Sequence, residues 1–187
     1  MILHLFLVCF LFTLHNQLTM NPAKIHELEK RLGHLFAVRK ELYRALTHST
    51  FSKEEKERTV GARDCPHQET YATLGDAVLK ACFVWLLMEN GMETKGDITI
   101  KKADWEKNLK LAEVGKRLHL LEDNLIWHRM GMGEQLEKGK ITLCSDTVEA
   151  LIGAIFVDTG YSLPKTKICI SKIFAPELHE MEKKSHS

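Results

Sequence analysis

An all-α domain is predicted by three observations. No stretch of the 187 residues alternates apolar and polar side chains as a half-buried strand does. Apolar residues instead recur at helical spacing, as in Ile25, Leu28 and Leu32. Two apolar stretches, 69–89 and 142–158, are too long for strands and carry acids inside them.

Each element has its own local cause. Asn21 and Pro22 form an N-cap followed by proline at the first helical position, and Gly33 ends that helix. A second helix is expected over 39–46. Residues 49–68 are polar and read as a surface helix or loop. The long helix 69–89 has a core stretch from Ala77 to Met88, apolar over most of its surface. Gly91 and Gly96 read as breaks. A helix over 103–118 would place Trp105, Leu109 and Ala112 on one face, with Trp105 in the core. Gly131, Gly133 and Gly139 read as an exposed loop, and 142–158 as a second core helix. Gly153, inside that helix, reads as a close packing point. A last helix starts near Ser162 and stops before Pro176. The organisation expected is an apolar extension over 1–19, one domain over 20–176 and a charged flexible tail over 177–187.

Composition excludes several classes. With 26 Lys and Arg against 25 Asp and Glu, the chain cannot hold nucleic acid by bulk charge alone, though a local basic patch remains open. Cysteines at 9, 65, 82, 144 and 169 are odd in number and contain no C-x-x-C pair, which fits a reduced, cytoplasmic setting. Cys65 and His67 lack a second ligand pair for zinc. The apolar run from Ile2 to Leu14 is too short to span a bilayer, lacks a basic start and has no small-residue cleavage pattern after it. It reads as residues upstream of a true start at Met20, with a weak signal or anchor as the alternative. No stable membrane association is expected.

Acids inside apolar helices are the chemical signal. Asp76 lies beside Val78 and Leu79. Asp146 and Glu149, three apart, share a helical face near Leu151, Ile152 and Ile155. Buried carboxylates need cations, and the nearest on the first helix is Lys80, one turn beyond Asp76. The pattern admits two readings. One is a divalent ion, Mg²⁺ or Mn²⁺, on hard oxygen ligands; the other is helix caps and salt bridges to distant Lys or Arg.

The stretches Ala45-Leu46-Thr47-His48-Ser49-Thr50-Phe51, His67-Gln68-Glu69, Leu74-Gly75-Asp76-Ala77-Val78-Leu79 and Asp146-Thr147-Val148-Glu149-Ala150-Leu151-Ile152-Gly153-Ala154-Ile155 resemble the ribonuclease III catalytic domain, in order, over about residues 22–175. The resemblance implies a helical endonuclease domain that dimerises and cleaves double-stranded RNA to 5′-phosphate and 3′-hydroxyl ends. It implies that Asp76, Asp146 and Glu149 are the catalytic, metal-holding acids for Mg²⁺, with Mn²⁺ as a substitute, and that Glu69 orients them. Water attacks the phosphate in that scheme, and a two-ion clamp stabilises the attacking and leaving oxygens.

Three departures from the family stand out. Ala72 replaces a family Glu four residues before Asp76, Thr73 replaces an aromatic residue at the dimer contact, and Lys95 replaces an acid before Gly96. The twelve residues after Ala175 are too few for the double-stranded RNA-binding domain that often follows. On these grounds a non-catalytic RNA-binding or ribosome-associated relative is the alternative function, and a helical protein-interaction domain unrelated to RNA a third.

RNA-binding candidates are Lys101, Lys102, Lys107, Lys110, Lys138 and Lys140. Their contacts would be to phosphates and 2′-hydroxyls rather than bases. Candidates for the homodimer interface are Tyr71, Thr73 and Leu74. His48 and His67 read as packing or hydrogen-bonding residues.

Overall fold

The computed structural model describes residues 21–58, 65–128 and 137–185. The apolar extension over 1–19, Gly131 and Gly133 lie outside them. Among the described residues the fold is all-α: α1 Pro22–Leu32, α2 Arg39–Ala45, α3 Ser49–Arg58, α4 Glu69–Glu89, α5 Lys95–Trp105, α6 Asn108–Arg117, α7 Glu137–Asp158, α8 Leu163–Ile173 and α9 Ala175–Ser185. The only extended pairing among these residues is a single bridge between Thr47 and Trp127.

Local signals set several boundaries. Asn21 Oδ1 accepts the Ala23 N–H, and Gly33, at φ 71°, closes α1 in the left-handed region that glycine reaches without steric cost. Helix α4 has the predicted bounds. Its length and composition would suit a bilayer span, but half of that stretch is packed inside the protein. Val78, Leu79, Cys82, Phe83, Leu86 and Leu87 are buried, while Met88 is exposed.

Helices α4 and α7 form the centre, with α6 and α2 against α7 and α5 and α8 against α4. Phe83, Trp105 and Phe174 close one end of the core, their rings meeting edge-on at 5.2 Å and 4.8 Å from Phe83. At the crossing of α4 and α7 two glycines face each other's helix. A Cβ on Gly75 would stand 1.8 Å from the Glu149 carbonyl oxygen, and one on Gly153 would stand 2.2 Å from that of Tyr71. Only glycine lets the two backbones approach this closely.

The structure differs from the sequence reading at four places. The helix expected over 103–118 is two helices, broken where Lys107 turns extended at ψ 136°. The break moves Leu109 off the core face, and it is exposed. Gly96 lies in the first turn of α5, not at a break, and Gly139 lies within α7, which starts five residues earlier than expected. The segment from Glu177, expected to be a flexible tail, continues as α9 to Ser185. Glu177 is buried there, bonded by Arg117 at 3.0 Å, and this contact ties the helix down.

Asp158, the last residue of α7, fastens the α1–α2 connection. Its carboxylate accepts the N–H groups of Ala37 at 3.0 Å and Val38 at 2.9 Å and pairs with His34 Nε2 at 2.7 Å. Burial pushes its pKa up, but the two N–H groups and His34 outweigh that and hold it below the usual value. Asp158→Asn is therefore expected to cost about 1.5–3 kcal/mol at pH 7. Because the folded-state pKa is depressed, this contribution is complete above the unfolded pKa and disappears as pH falls through the folded one. Urea midpoints of wild type and variant should differ at pH 7 and converge as pH falls below the usual aspartate range; a gap that persists in acid would assign the loss to packing.

Candidate active site

The N-terminus of α4 is set by Gln68. This residue is buried; its N–H donates to the Thr47 carbonyl at 2.9 Å, and its Oε1 accepts from Thr147 Oγ1 at 3.1 Å. Thr147 precedes the Glu149 turn of α7, so this bond and the glycine crossing fix the register of the two acidic helices. Glu69, Asp76 and Lys80 follow one another along one face of α4.

An open hollow of about 650 Å³ lies over that face, lined by Glu69, Ala72, Thr73, Asp76, Lys80, Glu106, Asn108, Asp146 and Glu149. The structure thus brings all four acids predicted from sequence to one surface. It adds Glu106 and Asn108, which the sequence reading missed. These two flank the α5–α6 break, and no glycine or proline announces that break; reading one continuous helix there hid them.

The electrostatics are those of crowded carboxylates. Burial first, then the charges of Asp76 and Asp146, push the Glu149 pKa up to about 7, against a weaker opposing pull from Lys80. Burial also raises Asp146, with Glu69 adding to it and His48 and Ser145 opposing. Lys80 Nζ donates to Asp76 Oδ2 at 2.7 Å. His67 Nδ1 lies 3.9 Å from Glu69 Oε2.

The carboxylates of the lining suit a hard divalent cation in kind: they offer oxygen ligands, and the burial and mutual repulsion that raise Glu149 are costs that a bound cation would relieve. Among the described residues no three His, Cys, Asp or Glu side chains converge into a metal-binding group. That covers Cys65 and His67 as well. The carboxylates stand around the walls, and Asp76 is engaged by Lys80.

The remaining predicted residues have these places. Lys102 binds Glu106 at 2.8 Å, Lys107 binds Asp104 at 2.7 Å, and Lys110 binds Glu113 at 2.8 Å. Lys101 lies over the Trp105 ring at 5.7 Å. Lys138 and Lys140 are exposed on the first turn of α7. Tyr71, a predicted interface residue, is buried in its own chain. Its hydroxyl donates to Glu41 Oε2 and Arg44 lies over its ring at 4.2 Å, so it offers little surface to a partner. Thr73 is exposed and donates to the Glu69 carbonyl at 3.1 Å, and Leu74 is half-buried. His48 Nδ1 accepts the Thr50 N–H at 3.3 Å at the start of α3, a hydrogen-bonding place in keeping with its sequence reading.

Residues 39–176 match the model of a family described as ribonuclease-III-like. The chain is 32% identical over 163 residues to "Ribonuclease 3" of Nitratidesulfovibrio vulgaris, an alignment covering 86% of this chain and 60% of that protein. It is 34% identical over 152 residues to "Ribonuclease 3" of Bordetella pertussis, covering 80% and 53%. The chain therefore spans little more than half the length of these relatives. Among solved structures it resembles the ribonuclease III nuclease domain of Campylobacter jejuni, with a TM-score of 0.61 and 26% identity over 81% of this chain and 95% of that one. A second structure of that domain, whose description refers to flexibility in a region involved in dimer formation, gives 0.60 and 28%, covering 81% and 99%.

Proposed function

This chain belongs to the ribonuclease III family, and from that membership we propose that it is a metal-dependent endoribonuclease that cleaves double-stranded RNA to 5′-phosphate and 3′-hydroxyl ends. The observation that carries the proposal is the single hollow lined by Glu69, Asp76, Asp146 and Glu149. Asp76, Asp146 and Glu149 would hold Mg²⁺ or Mn²⁺. When bound, the ion would polarise the scissile phosphate and acidify the attacking water.

The chain's own residues do the positioning. Gly75 and Gly153 set the distance between the acidic helices, and the Gln68–Thr147 bond sets their register. Glu69 orients from the rim of the hollow. Lys138 and Lys140 are exposed for phosphate contact. Lys101, Lys102, Lys107 and Lys110 would reach RNA only by leaving their present contacts. Staggered cutting of a duplex takes two sites, which a symmetric homodimer supplies. A cytoplasmic location is part of the proposal, supported by the odd number and wide spacing of the cysteines, of which Cys82, Cys144 and Cys169 are buried.

The deciding assay is full-length protein on long duplex RNA with Mg²⁺ or Mn²⁺, against chelator, single-stranded RNA and duplex DNA. Ion-dependent cleavage selective for duplex RNA is expected. A nuclease-free preparation that cuts nothing under either ion would move the reading to a non-catalytic RNA-binding relative, which Ala72 on the wall of the hollow favours.

Ala72 also supplies a gain-of-function test. It faces the hollow one turn from Asp76, so Ala72→Glu adds a fourth oxygen ligand where space exists. The variant should reach half-maximal rate at about tenfold lower Mg²⁺. An unchanged Mg²⁺ dependence would place residue 72 outside the ion's reach.

A further inference from the structure

Lys80 is a residue of the hollow to which the metal-site reading gives no role. It is the only lysine or arginine lining it among the described residues, set among Glu69, Asp76, Glu106, Asp146 and Glu149. Its hydrogen bond to Asp76 is the main influence raising its pKa, and the charges of Asp76, Glu106 and Glu149 act in the same direction, so the ammonium keeps its proton. Glu106 has its own partner in Lys102 at 2.8 Å, whereas Lys80 is engaged by Asp76 of α4.

We propose that Lys80 is the resident counter-cation of the hollow: it holds Asp76 in the metal-free protein, yields it to a divalent ion, and then presents its ammonium to a phosphate oxygen of the RNA backbone. The first part follows from charge and position. An ammonium 2.7 Å from Asp76 Oδ2 and a dication drawn to the same carboxylate repel each other, so each weakens the other's hold. The pair is 48% and 39% exposed, and an ion pair so placed is easily opened. The second part rests on the nuclease reading above. A lysine on a flexible four-carbon stem, freed beside the acids that would hold the ion, is a point charge suited to a phosphate. Lys102, Lys107 and Lys110 are occupied elsewhere.

The test compares wild type, Lys80→Met and Lys80→Arg as full-length proteins. Mn²⁺ binding is measured by calorimetry without RNA, and KM and kcat are measured on duplex RNA at saturating Mg²⁺. Lys80→Met should bind Mn²⁺ about two- to fivefold more tightly, with Lys80→Arg close to wild type. It should also raise KM about fivefold or more, with the salt dependence of RNA affinity shallower by about one phosphate contact. An ordinary helix-surface ion pair would shift thermal stability but leave Mn²⁺ affinity where it was. That result, or no Mn²⁺ binding by any of the three proteins, overturns the proposal. Tighter Mn²⁺ binding with unchanged KM overturns its phosphate half. Tighter Mn²⁺ binding in proteins that cleave nothing sinks the nuclease reading while the counter-cation role stands.

Discussion

Glu149→Gln is expected to reduce duplex RNA cleavage by about three orders of magnitude while leaving the protein folded and at least as stable at pH 8. Gln keeps the volume and one oxygen but removes the charge that would hold the ion. Losing about 4 kcal/mol of electrostatic stabilisation corresponds to roughly a thousandfold in rate. The wall position one turn before Asp76, where the family carries a further acid, is Ala72 and cannot compensate.

The stability effect has a definite sign. The Glu149 pKa is raised from 4.5 to about 7, so between those values the folded state binds more protons than the unfolded state. Wild-type stability therefore falls as pH rises through that window. The variant escapes the loss and should be about 1–2 kcal/mol more stable than wild type at pH 8, with the difference vanishing near pH 4. Saturating Mn²⁺ should raise the wild-type melting temperature more than the variant's. Melts across pH with and without Mn²⁺, alongside an Mg²⁺ titration of rate, check both halves. Wild-type cleavage by the variant at low Mg²⁺ would remove Glu149 from the site.

Gly75→Ala should be the most damaging single-methyl change in the protein, with Gly153→Ala close behind. The new Cβ atoms would stand 1.8 Å from the Glu149 carbonyl oxygen and 2.2 Å from that of Tyr71. Both obstacles are helix backbone, so relief requires the two central helices to part along a contact that organises the core. A loss of about 3 kcal/mol or more is expected, a large share of a typical domain's stability. Two other glycines give the scale. Gly96→Ala, in a helical turn with Thr94 Oγ1 at 3.9 Å, should gain about 0.5–1 kcal/mol. Gly91→Ala, at φ 82° in open space, should lose about 1 kcal/mol from backbone strain alone. Urea unfolding of the four variants orders them. A Gly75→Ala midpoint no lower than that of Gly91→Ala would mean that the helices separate cheaply.

The sequence made the long elements and the acids legible because their signals are local and redundant. Asn21, Pro22 and Gly33 each carry a preference specific to a helix end. In α4 the apolar residues outnumber any strand's length. Asp76, Asp146 and Glu149 stood out because a carboxylate beside Val78 or Ile152 is costly, and the structure sets them around one hollow. The misses come from tertiary causes. Lys107 turns extended without glycine or proline, so Glu106 and Asn108 were invisible as wall residues and Leu109 was placed on the wrong face. Helix α9 persists because Arg117, sixty residues earlier, binds Glu177. Nothing in its charged sequence announces that partner. Tyr71, an interface candidate from sequence, is engaged within its own chain by Glu41 and Arg44 of α2, thirty residues away or nearly so.

The glycine crossing also acts as a fulcrum. The closest approach is confined to one helical turn, between Tyr71 and Gly75 on α4 and Glu149 and Gly153 on α7, and in any rocking about so short a contact displacement grows with distance from it. A relative tilt of about 5° would move a residue ten positions from the crossing by about 1.3 Å, at 1.5 Å of rise per residue. Asp76, adjacent to Gly75, would move by only about 0.1 Å on the same lever. Glu149, whose own carbonyl forms the contact, sits at the pivot itself. Rocking of the central helices would therefore spend its amplitude at their far ends and leave the backbone beneath Asp76 and Glu149 nearly stationary.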